Sequence, residues 1–201
     1  MLNTSFYSSL SSSDKELLAV WVASHIIRML MVLQRSSVAH KDIKLDNMVL
    51  RSRENEAPQL CLIDFGLARD LFCDHIDPSA KKQLEYDDMR GAIACIHSVL
   101  FYEDLQTVEI PIAASAALRA KGFTAAPTFL SQTAEAILVP KLVTIKRYWN
   151  RDIWSCVYLH LLNPQLNVST LARIHELLEE HLTATSHAAS LQESPLDLLC
   201  C

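Results

Sequence analysis

Val38-Ala39-His40-Lys41-Asp42-Ile43-Lys44-Leu45-Asp46-Asn47-Met48-Val49-Leu50, followed after a polar interval by Leu60-Cys61-Leu62-Ile63-Asp64-Phe65-Gly66, decides the reading of this 201-residue chain. Four polar residues stand at fixed spacing in the first part, His40-x-Asp42-x-Lys44-x-x-Asn47. Four fixed residues at about 5% each would arise by chance in roughly one chain in a thousand of this length, before D-F-G at Asp64–Gly66 is also demanded. Met48-Val49-Leu50 and Leu60–Ile63 predict two short strands, and the polar run Arg51–Pro58 between them predicts a hairpin turn. Such a hairpin delivers Asp64 beside Asn47. Singly, each of these polar residues is an ordinary solvated group; their joint spacing is what points to a site.

Composition bounds the rest. Half of the residues are hydrophobic and the formal net charge is −5, which excludes a wholly disordered chain and argues against a general nucleic-acid binder. No basic segment followed by an apolar core opens the chain, so no signal peptide is expected, and the apolar stretches are expected to fall short of a membrane span. Six cysteines, at 61, 73, 95, 156, 200 and 201, form no C-x-x-C pair and no zinc spacing, which suits reduced thiols. There are three glycines, Gly66, Gly91 and Gly122, and none precedes His40.

Along the chain, residues 1–13 are serine-rich and read as a flexible loop or frayed end. Ser13-Asp14-Lys15-Glu16 has the S-x-x-E form of a capping box, opening a helix on Leu17, Leu18, Trp21, Val22, Ile26, Met29, Leu30 and Leu33 that runs to about Arg35. His25 reads as an ordinary residue of that helix. Asp87 to Phe101 reads as a buried helix with small residues near its start. Asp88 there reads as a carboxylate favoured by the helix dipole. Ser79, beside Pro78, reads as a loop serine rather than a modification site. Residues 103–147 are alanine-rich, punctuated by Pro111, Pro127 and Pro140, with short helices expected near 112–121 and 131–138. Lys141, Lys146, Arg147 and Arg151 read as a solvated basic face. Trp149, Ile153, Trp154, Val157, Tyr158, Leu161 and Leu162 form a helical stripe, and Leu171, Ile174, Leu177, Leu178 and Leu182 a second from about Ser169. Residues 183–201 read as a loose tail.

The H-K-D-I-K-L-D-N loop, the L-I-D-F-G turn, the run D-D-M-R-G-A-I-A-C-I-H-S-V-L-F and the closing R-Y-W-N-R-D-I-W-S-C-V-Y-L-H-L-L-N-P together resemble the large lobe of a eukaryotic serine/threonine protein kinase. Within that superfamily the chain looks most like the Bub-type spindle-checkpoint kinases. The resemblance implies a mainly α fold: a protein-kinase-like C-terminal lobe over 14–182 with a short β-hairpin at the catalytic loop, a divergent insert at 103–147, and no small lobe. It implies ATP and Mg2+ as cofactors. Asp42 would be the general base, Lys44 would face the transferred phosphate, and Asn47 and Asp64 would hold magnesium. His40, Phe65, Gly66 and Asp88 would support them structurally. The resemblance of the run from Asp87 to the central large-lobe helix of protein kinases would make Asp88, instead of a dipole-favoured carboxylate, the acceptor for the backbone of the His40–Asn47 loop. A protein substrate or checkpoint partner proteins, a cytoplasmic or nuclear site of action and work at kinetochores are implied likewise.

Three departures qualify the resemblance. Lys41 replaces an arginine that in many kinases grips a phosphorylated loop bidentately, which argues against that mode of control. The stretch after Gly66 is too short for a normal activation segment and holds no A-P-E-like anchor. No glycine-rich phosphate loop or strand lysine precedes His40. Two functional readings therefore stand side by side: a kinase whose chain is truncated and inactive alone, and a pseudokinase or scaffold that binds partners. A helical interaction module with a coincidental loop is a third.

Overall fold

The apolar run that follows Ser11 forms the helix on which the other elements pack. In the computed structural model, which describes residues 4–54, 56–73, 76–100, 149–161 and 167–189, this is Ser12–Arg35 (α2). Ser11 caps it, its Oγ accepting from the Asp14 amide at 3.2 Å. Leu18 to Ala23, Ile26, Ile27, Leu30 and Leu33 are all buried, a set that covers more than one stripe of the helix. A helix apolar most of the way round has to be enclosed, and α2 is: it packs against Val168–Ala189 (α5), Pro78–Leu100 (α3) and one strand of the hairpin. Arg151–Leu161 (α4) completes the helical layer against α3 and α5. The chain is mostly helical, with two small antiparallel sheets among the described residues.

Those sheets position the site. Ser37, in left-handed conformation (φ 51°), ends α2 and turns the chain into Val38–Ala39 (β1). This strand pairs with Arg69–Asp70 (β4), Val38 opposite Asp70 and Ala39 opposite Arg69. Met48–Arg53 (β2) and Glu56–Leu62 (β3) form the hairpin, in register from Met48 opposite Leu62 to Arg51 opposite Gln59, with a bulge before Arg53 opposite Glu56.

Several expectations are corrected. The serine-rich start is not all loop: Thr4–Ser9 is a helix (α1), and Tyr7 is buried, its hydroxyl donating to the Val99 carbonyl near the end of α3 at 2.8 Å. That bond satisfies one of the carbonyls a helix C-terminus leaves open. The cap lies at Ser11 rather than Ser13. Glu16 is no capping partner; it is buried and accepts from Trp154 Nε1 at 2.9 Å and from the Asn150 amide, tying α2 to α4. The strands run further toward the hairpin tip than their apolar cores, because backbone pairing continues through polar Arg51–Arg53 and Glu56–Gln59. α3 starts at Pro78, not near Asp87, since Asp77 caps it through the Ser79 and Ala80 amides and proline suits the first helical position. α5 extends to Ala189, through residues read as the start of a tail. By length and composition α2 is apolar enough to cross a membrane, contrary to expectation; 61% of its most apolar window is buried inside the fold. The expectations for 103–147, Leu162 and 190–201 lie outside the described residues.

Candidate active site

The loop His40–Asn47 leaves β1 and is fixed from below by α3. Asp88, buried in the middle of that helix, accepts the His40 amide on Oδ2 at 2.6 Å and the Lys41 amide on Oδ1 at 2.7 Å. Placed well inside α3, Asp88 owes nothing to the helix-start dipole; it is the anchor of the loop backbone. Burial raises its carboxyl above the ordinary range, and the two amides oppose that rise. Lys41 adopts a left-handed conformation (φ 69°) that lets consecutive amides converge on one carboxylate.

His40 is fully buried and joins the two motifs. Its Nδ1 takes the Asp42 amide at 3.3 Å, and its Nε2 lies 3.0 Å from the Ile63 carbonyl. With Nδ1 accepting, the tautomer that carries its hydrogen on Nε2 donates to the Ile63 carbonyl. The Phe65 ring meets it edge-on at 4.7 Å. Ile63 directly precedes Asp64, so the bond places the second motif relative to the first. Ile63 was not among the expected site residues; its part is played by its carbonyl, and a backbone role leaves no side-chain signal to read.

Above this base the polar groups converge. Asp42 Oδ2 receives Lys44 Nζ at 2.6 Å and Asn47 Nδ2 at 2.9 Å, and Asn47 also donates to the Asp42 carbonyl at 2.9 Å. Lys44 is the main reason that the Asp42 carboxyl lies below its usual range, with Asn47 adding to it; Asp42 in turn raises Lys44. Asp42 is therefore held as a carboxylate, its Oδ1 without a hydrogen bond among the described residues. The Ile63 amide bonds the Asn47 carbonyl at 2.9 Å, stitching the hairpin shut beside the site. Asp64 is exposed and left-handed (φ 63°), with Oδ1 accepting the Gly66 amide at 3.3 Å. Asp64 also lies close enough to contribute to the electrostatics of Lys44. Asp42, Lys44, Asn47 and Asp64 thus form one constellation, with His40, Phe65, Gly66 and Asp88 beneath it or beside it.

The donor set can be tested for magnesium. Asn47 directs its amide nitrogen to Asp42, which leaves its carbonyl oxygen, a hard neutral donor, open among the described residues. Asp64 keeps its other carboxylate oxygen open among the described residues. Magnesium takes one or two protein oxygens together with phosphate and water oxygens, and the residues fit that demand. Among the described residues no group of three or more His, Cys, Asp or Glu could hold a metal, so this is no all-protein cage.

No family model matches the chain. It is similar to the spindle assembly checkpoint serine/threonine-protein kinase bub1 of Schizosaccharomyces pombe, 25% identical over 228 aligned residues. The alignment covers 96% of this chain and 19% of the relative's length. That similarity supports a kinase-like relationship for the chain as a whole.

Proposed function

We propose that His40–Gly66 is the phosphoryl-transfer site of a serine/threonine protein kinase of the checkpoint type, using ATP and magnesium. The observation that carries this reading is the convergence of Lys44 and Asn47 on a single oxygen of Asp42, with His40 registering Asp64 alongside. Phosphoryl transfer asks a protein mainly to position groups and offset charge. Asp42 orients a substrate hydroxyl and takes its proton at Oδ1; its lowered pKa makes it a weak base, so orientation is the larger part of its work. Lys44, two residues on, presents a point charge to the phosphate being moved. Asn47 and Asp64 would hold magnesium, which when bound offsets the charge of the phosphates. Similarity to bub1, a spindle assembly checkpoint serine/threonine-protein kinase, supports protein serine or threonine as acceptor and checkpoint proteins as partners. A cytoplasmic or nuclear place of action, at kinetochores, extends that proposal.

A second reading, a scaffold that keeps the fold without catalysis, draws on the short stretch from Leu67 to Asp77, which leaves little platform for a peptide. Calorimetry of the 201-residue chain with ATP tests whether these residues hold a nucleotide site on their own. The catalytic reading predicts binding that requires magnesium and is abolished by Asp64→Ala; ligand at about a hundred times its dissociation constant should then add about 2.7 kcal/mol of stability. A folded chain that ignores magnesium-ATP would contradict a working nucleotide site in these residues alone, an outcome that the scaffold and the truncated kinase share. No turnover is expected from these residues alone, since they hold no glycine-rich cradle for the triphosphate.

A further inference from the structure

Gly91 lies in the interior of α3, three residues beyond Asp88, where glycine is a poor helix former. Its neighbour is the backbone of the catalytic loop. A Cβ built on Gly91 would stand 2.5 Å from the Ile43 carbonyl oxygen, 3.0 Å from Ile43 Cβ and 3.3 Å from the Ile43 carbonyl carbon. The nearest of these is main chain, which cannot swing aside as the end of a long side chain would. Ile43 is also buried in the core, so it has no empty space behind it. It stands between Asp42 and Lys44, the two groups whose contact defines the site.

We infer that Gly91 is a positioning residue: the absence of its side chain sets how closely α3 approaches the loop, and hence where Asp42 and Lys44 stand. Asp88 pulls the loop down by its amides, and Gly91 provides the room for it to arrive. A methyl group at 91 forces a choice between lifting Ile43 and stretching the two amide bonds to Asp88. Either choice tilts the Asp42 carboxylate against Lys44 and Asn47. This inference deepens the phosphoryl-transfer reading and rests on it only for the consequence, not for the contact.

The test compares wild type, Gly91→Ala and Ala94→Gly by amide NMR on the 201-residue chain, with magnesium-ATP titrations beside them. Ala94 is exposed on the same helix and serves as the control for helix propensity. Gly91→Ala is expected to move the Lys41, Asp42 and Lys44 amide resonances and the Asn47 side-chain amide, and to weaken magnesium-ATP binding by about tenfold or more, as loss of outer-sphere support commonly does. Ala94→Gly should leave the loop resonances in place. Unmoved loop resonances in a folded Gly91→Ala chain would overturn the inference. Displaced resonances in a chain that binds no magnesium-ATP even as wild type would uphold the spacing role and show that these residues alone hold no nucleotide site. Should Gly91→Ala not fold, the wild type still decides: a nuclear Overhauser effect between Gly91 Hα and the Ile43 side chain is required, and its absence would overturn the contact.

Discussion

His40–Asn47 is held from three sides, by Asp88 on α3, by Ile43 in the core and by the hairpin bond from Ile63, whereas Asp64–Phe72 is held mainly by its backbone. β4 pairs with β1, the Leu71 amide bonds the Ser37 carbonyl at 2.7 Å, and Leu71 alone of the local apolar side chains is buried. Phe65 is 51% exposed, Leu67 59% and Phe72 82%. The Asp42 side of the site is thus fixed to α3 and the core, while the Asp64 side joins it through His40 and the hairpin. Preorganisation is concentrated around the Asp42 carboxylate, while Asp64 takes its register from the His40 ring and the Ile63–Asn47 backbone bond.

The contrast can be broken most severely at its root. Asp88→Ala leaves the His40 and Lys41 amides without their charged acceptor, and hydrogen bonds to charged groups of this kind predict a loss of about 3–5 kcal/mol in urea unfolding. Asp88→Asn, which keeps one acceptor oxygen, should fall between. His40→Ala removes the tether and opens a cavity, costing about 2–4 kcal/mol. Its more telling effect is local: amide exchange of Ile63–Phe72 should accelerate more than that of Asp42–Asn47. Equal acceleration of both stretches would show that His40 does not separate them.

Acid titration sharpens the comparison along α3. Asp77 is held below its ordinary value of 3.8, chiefly by the Ser79 hydroxyl and then by the Ala80 amide. Its contribution is present above that ordinary value and is lost as pH falls through the lowered one. Asp77→Asn should therefore flatten the acid limb of stability against pH. Asp88 runs the other way: its raised carboxyl gives up some stability as pH rises through the folded-state value. The smallest effect belongs to the exposed segment, where Phe72→Ser should change stability by no more than about 0.5 kcal/mol. A large loss there would mean that Phe72 is covered in solution.

What could be read from the residues follows the same division. Helical stripes such as Trp149–Leu161 and Leu171–Leu182 are legible because buried apolar side chains repeat with the helix, and the H-x-D-x-K-x-x-N spacing is legible because chemistry fixes it. Asp88 was legible as a candidate anchor but not as a mid-helix residue, since the Asp77-Pro78 cap lies beyond the apolar pattern. The roles of Tyr7 and Glu16 leave no local signal because their partners, Val99, Asn150 and Trp154, are remote in sequence. Ile63 and Gly91 act through main chain and through absent bulk, neither of which marks a residue type.

The most direct test of the account uses manganese in place of magnesium, since both favour carboxylate, carbonyl and water oxygens. Trace manganese added with ATP to the labelled chain should first broaden the Asn47 side-chain amide and the amides of Asp64, Phe65 and Gly66, leaving α5 sharp. Broadening that instead begins along the acidic face of α5, at Glu176, Glu179 and Glu180, would contradict the assignment of the nucleotide-metal site to the two motifs.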